Sequence, residues 1–368
     1  MSDTNLPNAP TPLITLLRAL AKGVTYSVGL TVLLVLTFLA LRVPPMEGLA
    51  KIWEGAIGSK DDGYWYPLTE TLLKAIPLTL TGLSVVVAWR AGLFSIGAEG
   101  QLTIGIVVAT SIAKLGAHLP GTLLAIFMLI GAMSSGALWG LLAAWLRIRR
   151  NVQEVISTIM LNYIALQILA WAVEGPLQEA THVKPQSDPL PTAALLPRIL
   201  PMSLTDGIQT RLHLGVVFAV IAVIMVTIYL FRTPGGFALR LIGQNPEAAK
   251  LARLNADSIR LKAMALSGAL CGLAGAIELM GVTGTLYRDF SPGWGYTAIP
   301  VALLGGLHPV GAAFSALFFG GLTSGTSNLA RFTKGVSSVL VYVIQGAAVL
   351  AVVGARAWKN RKAGTEVD

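Results

Sequence analysis

Charge is scarce in this chain. Of its 368 residues only 12% are Asp, Glu, Lys or Arg, against about a quarter in ordinary water-soluble domains, too few to cover a globular surface. Cysteine is nearly missing. Cys271 stands alone, which excludes an intrachain disulfide and a cysteine-built metal cluster, and its apolar neighbours make it a small core hydrophobe. The four histidines, His118, His182, His213 and His308, are scattered, so they form no acid–base or metal centre with nearby carboxylates. The sequence also lacks G-x-x-x-x-G-K-[ST], H-E-x-x-H and G-x-S-x-G. A phosphate-cradling loop, a zinc-protease helix and a serine-hydrolase elbow are thereby excluded.

What is present is apolar. Hydrophobic residues make up 54% of the chain and fall in blocks of about 15 to 25, the length that roughly 20 residues need to cross about 30 Å of hydrocarbon. Strand-like alternation is missing, so the fold class is all-α integral membrane, not a barrel. The net charge of +9 does not point to nucleic acid, because the basic residues lie in short segments between the apolar blocks and not on one soluble face.

The pattern predicts about ten spans, near 24–41, 72–89, 101–115, 121–146, 155–174, 213–231, 262–283, 297–308, 311–326 and 336–354. The first block is longer than a signal-peptide core and lacks a small-x-small cleavage site, so it reads as a retained span. The organisation is a tail over 1–23, one transmembrane domain over 24–355 and a second tail over 356–368.

With the N-terminus inside, sixteen basic residues fall in inner segments, among them Arg90, Arg147, Arg149, Arg150, Arg232 and Lys250, and eleven outside. The outer loops 42–71 and 175–212 dilute theirs over many residues. Both termini are therefore expected in the cytoplasm. The loop prolines, such as Pro185, Pro189 and Pro191, favour extended or short-helical structure.

Glycines four apart, at Gly136 and Gly140, Gly268 and Gly272, and Gly321 and Gly325, permit close helix approach. Two segments interrupt the apolar pattern at membrane depth: GLFSIGAEGQ, 92–101, and SPGWGYTAIP, 291–300. Broken helices in corresponding halves mark a substrate route. The spans after them stand third and eighth, an odd offset that fits an inverted repeat.

Between the sixth and seventh spans, GQNPEAAKLARLNADS encodes a short exposed helix at about 245–255. Asn245 suits the N-cap, Pro246 the first turn and Glu247 the positive end, and Asn255 can terminate it. Gly243, Ala248 and Lys250 complete this compact lever.

Polar groups inside spans need partners. Tyr163, Gln167, Trp171 and Glu174 recur on one face of the fifth helix, where they fit either a substrate route, by stacking and hydrogen bonding, or interface anchors and helix contacts. Asn162 occupies a different face of that helix. Glu278 fits a substrate contact or a snorkelling carboxylate. Glu99 and Gln101 fit groups that satisfy the freed backbone of the first break.

Three segments together, GLFSIGAEGQ (92–101), ALRLIGQNPEAAKLARLN (238–255) and GYTAIPVALLGGLHPVGA (295–312), resemble the permease family of ABC importers that handles ribose, branched-chain amino acids and nucleosides. The first is closest to the nucleoside and simple-sugar branch, and the likeness covers about residues 70–355. The resemblance implies a substrate-translocation subunit that is not itself an enzyme. It also implies a second permease chain, a substrate-binding protein or lipoprotein, and a cytoplasmic ATPase carrying ATP and Mg, docked by the 245–255 helix. No cofactor or metal is expected on this chain. Nucleosides are the expected substrate, with sugars or branched-chain amino acids next. A stand-alone secondary transporter or channel is the reading from another class, and it would require acidic residues deep in several spans.

Overall fold

A computed structural model describes residues 44–59, 63–200 and 209–332, with two isolated positions beyond. The spans expected at 24–41 and 336–354 lie outside the described residues. The described helices are α1 (Pro45–Ile57), α2 (Trp65–Arg90), α3 (Ala98–Leu115), α4 (Gly121–Arg150), α5 (Glu154–Glu174), α6 (Gly215–Arg232), α7 (Pro234–Gln244), α8 (Pro246–Leu251), α9 (Ala256–Glu278), α10 (Trp294–Leu304) and α11 (Pro309–Phe332). A π-helical turn, Leu279–Thr283, continues α9. No strand occurs among the described residues, only isolated bridges such as Gln186 with Tyr287. By contact, Trp53–Gly325 form one compact unit. In the other, the Asn328 Nδ2 donates to the Lys51 carbonyl at 3.1 Å.

Among the described residues, five helices are long and apolar enough to cross a membrane: α2, α4, α5, α6 and α9 with its π turn. Their burial separates centre from periphery. The most apolar stretch is 83% buried in α2 and 72% in α9, but only 22% in α4 and 28% in α6. Alpha-2 and α9 are therefore the core of the unit, and α4 and α6 leave most of their apolar surface exposed at its periphery.

Hydrocarbon offers no hydrophobic drive between helices, so close backbone approach has to hold them together. The paired glycines of α4 and α9 supply it by packing on each other. A Cβ at Gly136 would strike the Gly268 carbonyl, one at Gly140 the Met264 carbonyl, and one at Gly272 the Ala132 carbonyl. The two helices thus run antiparallel with their small residues in register. Alpha-3 joins them where Gly105 meets Gly272, its built Cβ lying 2.6 Å from the Gly272 Cα. Cys271 is fully buried beside this seam, with its Sγ donating to Ser84 Oγ at 3.0 Å, and Ser84 in turn hydrogen-bonds Ser267 at 2.7 Å.

The helices collect arginines at one end of the unit, where α2 finishes with Arg90, α4 with Arg147, Arg149 and Arg150, and α6 with Arg232. There Arg240 lies 4.9 Å over the Phe231 ring, which stacks on His308. Sequence periodicity places the start of the seventh span at 262. The helix begins earlier, at Ala256, because Asn255 accepts from the Ser258 N–H at 3.0 Å and caps it. Asn255 therefore starts α9 and does not terminate the preceding helix, which ends at Leu251 with Arg253 in the left-handed region at φ 54°.

Candidate translocation and coupling site

The two interruptions meet in space. Alpha-2 stops at Arg90, residues 91–97 run without helix, and α3 starts at Ala98. On the other side, Gly293 at φ 90° turns the chain into α10, and Ser291 Oγ accepts from the N–H groups of Gly293 and Trp294 at 3.2 and 3.4 Å. The first turns of α3 and α10 then join directly. The Glu99 carboxylate accepts the Gly295 N–H at 2.7 Å, and a side chain at Gly295 would collide with the Glu99 backbone. Glu99 is 2% exposed. It satisfies a helix N-terminal donor that hydrocarbon could not.

One face of α5 holds the irregular segment in place. Glu154 Oε1 accepts from the Phe94 N–H at 3.2 Å, Thr158 Oγ1 from the Ile96 N–H at 3.2 Å and Asn162 Oδ1 from the Gly100 N–H at 2.9 Å. Asn162 also donates from Nδ2 to the Ile96 carbonyl at 3.0 Å and to the Tyr296 hydroxyl at 3.5 Å, so it touches both breaks. Glu154 is further paired with Arg147. These three side chains stand four residues apart on a helix, which puts them in one line. Sequence reasoning singled out Asn162 and missed Glu154 and Thr158, although polar residues at that spacing in an apolar span carried the signal.

The remaining sequence-selected residues separate. Gln101 is buried near Gly140, and its Oε1 has no hydrogen-bond partner among the described residues; the Trp139 Nε1 is a second such orphan. Tyr163, Gln167 and Trp171 share the outer face of α5 with Ile164 and Ile168, lining a hollow of about 370 Å3. Tyr163 is 59% and Trp171 66% exposed. Glu174 does not join that lining. It forms an exposed ion pair with Arg288 at 3.1 Å.

Glu278 is buried near the end of α9 opposite the arginines. Nearby, Arg211 grips Glu70 with two hydrogen bonds, Nε to Oε1 at 3.0 Å and Nη2 to Oε2 at 2.8 Å. Those bonds hold the Arg211 guanidinium above the usual arginine range against the opposing cost of burial, and the charges of Glu70 and Glu278 add to it. The fork geometry is the bidentate form that suits arginine and carboxylate.

At the arginine-rich end stand two short capped helices. Thr233 Oγ1 accepts from the Gly236 N–H at 3.1 Å to start α7, a helix that sequence reasoning did not place. Asn245 Oδ1 accepts from the Ala248 N–H at 3.0 Å to start α8, Pro246 occupies its first position, and Lys250 pairs with Glu247 at 2.8 Å. Both caps follow the residue preferences of helix N-termini. Gly243, in the last turn of α7, presses on the first break. A Cβ there would strike the Arg90 carbonyl, and Gly92, at φ 75°, faces Gly243 backbone to backbone. Leu251, at the tip of α8, is 87% exposed. Among the described residues no cluster of His, Cys, Asp and Glu is placed to hold a metal.

The profile of the family described as branched-chain amino acid transport system / permease component matches residues 68–353. A glucose ABC transporter permease protein of Haloferax volcanii is 34% identical over 97% of this chain and 90% of its own length. A guanosine ABC transporter permease protein of Bacillus subtilis is 32% identical over 93% of this chain and 92% of its own. A nucleoside ABC transporter permease protein of Lactococcus lactis subsp. cremoris is 31% identical over 84% of each. With two broken helices joined inside an apolar bundle and matches along nearly its whole length, the chain belongs to the permease components of the branched-chain amino acid transport family, the nucleoside and sugar branch of ABC transporter permeases.

Proposed function

We propose that this chain forms half of the translocation pathway of an ATP-driven importer for nucleosides. The observation that carries the reading is the near full-length similarity to permease proteins named for guanosine and nucleosides. The exposed Tyr163, Gln167 and Trp171 supply the aromatic faces and amide that a base requires. In this reading the stripe faces the pathway, while Glu99 and Asn162 clasp the two breaks and Glu278 with Arg211 stands at the outer mouth. The glucose-named relative favours simple sugars as the second reading.

Alpha-8 is the element that docks on a separate cytoplasmic ATPase. Its exposed Leu251 and its capped, ion-paired surface support that role. Movement there passes through Gly243 and Gly92 to residues 91–97, and so to the Glu99 and Gly295 contact. A second permease chain completes the pathway and a substrate-binding protein delivers to it. About ten spans in an inverted repeat, a bacterial inner-membrane location and cytoplasmic termini complete the proposal.

Uptake of labelled guanosine, glucose, ribose and leucine by the reconstituted complex tests it. Guanosine uptake with leucine excluded is expected, and leucine uptake without guanosine would overturn the nucleoside reading. For orientation, single cysteines at Asp188 and Lys250 in a Cys271→Ser background should label from opposite sides of sealed cells; labelling from one side contradicts the topology.

A further inference from the structure

An apolar groove of about 600 Å3 runs between α4, α6 and α9, with Leu129, Met133, Phe218 and Met225 among the side chains along it. Its two polar lining groups, Tyr229 and Lys262, lie together at one end. Tyr229 stands eleven residues after Phe218 on α6, and Lys262 eleven before Leu273 on α9, so the groove is about 16 Å long. That is close to half of the roughly 30 Å hydrocarbon core of a bilayer. The groove therefore has the length of one leaflet, apolar until its end.

The polar end lies at the arginine-rich face. Arg232 closes α6 one turn beyond Tyr229, and Arg260 precedes Lys262 on α9. Arg147, at the end of α4, is close enough to Arg260 for the two cations to repel, and its carboxylate partner is Glu154. Among the described residues Arg232, Arg260 and Lys262 form no ion pair, and the Arg260 Nε is buried without a hydrogen-bond partner. Asp257, in the first turn of α9, and Glu154 are acids at this end, and neither pairs with Arg232, Arg260 or Lys262; the excess of cations at the headgroup level is complementary to an anionic lipid.

We infer that this groove binds one anionic phospholipid, its acyl chain against α4, α6 and α9 and its phosphate on Lys262 and Tyr229, with Arg232, one turn beyond Tyr229 on the same face of α6, beside it. Only the name of the leaflet, the cytoplasmic one, rests on the function proposed above. A lipid anchored there would brace α6 and the start of α9, the two helices that flank α7 and α8.

The test is lipid retention by the purified complex, which is independent of transport. Native mass spectrometry after exchange into equal phosphatidylglycerol and phosphatidylcholine should show phosphatidylglycerol retained on this chain. Lys262→Gln should lower that retention about fivefold, the effect of one basic residue at a headgroup, and Arg232→Gln should act in the same direction. In the unsubstituted complex, photoactivatable phosphatidylglycerol should label peptides covering 218–229 and 262–273. Equal retention of both lipids by parent and variants would overturn the inference. So would labelling confined to other helices, or a Met225→Cys cross-link to the second permease chain, which would show protein in the groove.

Discussion

Gly92 and Gly243 meet backbone to backbone: a Cβ built on Gly92 lies 3.2 Å from the Gly243 Cα. The first belongs to the interrupted segment between α2 and α3, the second to the end of α7. This contact is the physical link between the exposed α8 and the junction of the two breaks. Gly243→Val would drive a branched side chain into the Arg90 carbonyl, an overpacking that costs about 1–3 kcal/mol in a close-packed site. The expected outcome is a complex that inserts and hydrolyses ATP but loses at least about tenfold in uptake. ATPase and uptake measured on one preparation check it, and unchanged uptake would remove this contact from the coupling route.

The N-cap of α8 gives a second prediction. Asn245→Ala removes the acceptor of the Ala248 N–H and should cost about 0.5–2 kcal/mol of local helix stability. Glu247→Lys also reverses a favourable interaction with the helix dipole and breaks the pair with Lys250. The double variant should insert normally, recover less ATPase on pull-down and transport poorly. In the unmodified background, Ala248→Cys should cross-link to the ATPase. Normal transport by the double variant, or cross-links from another loop alone, would place coupling elsewhere.

The glycine seam predicts a different phenotype. Gly268→Leu places a side chain against the Gly136 carbonyl where α4 and α9 touch, and neither backbone can yield without separating the helices. The expected result is loss of folded protein, read as a collapsed monodisperse peak in detergent. Gly321→Ala is the control, because its nearest neighbours stand at ordinary contact distance, 3.5 Å or more.

These cases show what could be read in the sequence. The all-α fold class followed from composition, five of the expected spans from their apolar blocks, and the two breaks from polar and glycine-rich interruptions. The 245 cap followed from Asn-Pro-Glu. Asn255 was misassigned because an Asn can end one helix or begin the next, and only the turn at Arg253 decides between them. Glycine spacing announced close packing without naming which glycine faces which, since that depends on tertiary register. The line of Glu154, Thr158 and Asn162 was visible as a period of four, but its partner, the backbone of residues 94–100, is a tertiary fact. Glu174 shared the helical face of Trp171, and its ion pair with Arg288 comes from a distant segment.

Acid should destabilise the fold through His213. It lies two residues before α6, its Nδ1 accepts from the Gly215 N–H at 3.0 Å, and its ring rests against Gly281. Burial lowers its pKa from 6.5 to about 4. Because the unfolded chain binds the proton more readily, the neutral ring's contribution is intact above about pH 6.5 and is lost as pH falls through 4. The detergent-solubilised protein should melt progressively lower across that window, and His213→Gln should flatten the slope. An equal slope in the variant would assign the acid sensitivity to other groups.

The central claim is that this chain conducts substrate and takes its energy from a separate ATPase. Guanosine uptake into proteoliposomes, compared with and without the ATPase subunit and with ATP or a non-hydrolysable analogue on its side, tests it most directly. Uptake only when ATPase and hydrolysable ATP are both present is the predicted result. Uptake by this chain and its permease partner without the ATPase would contradict the account.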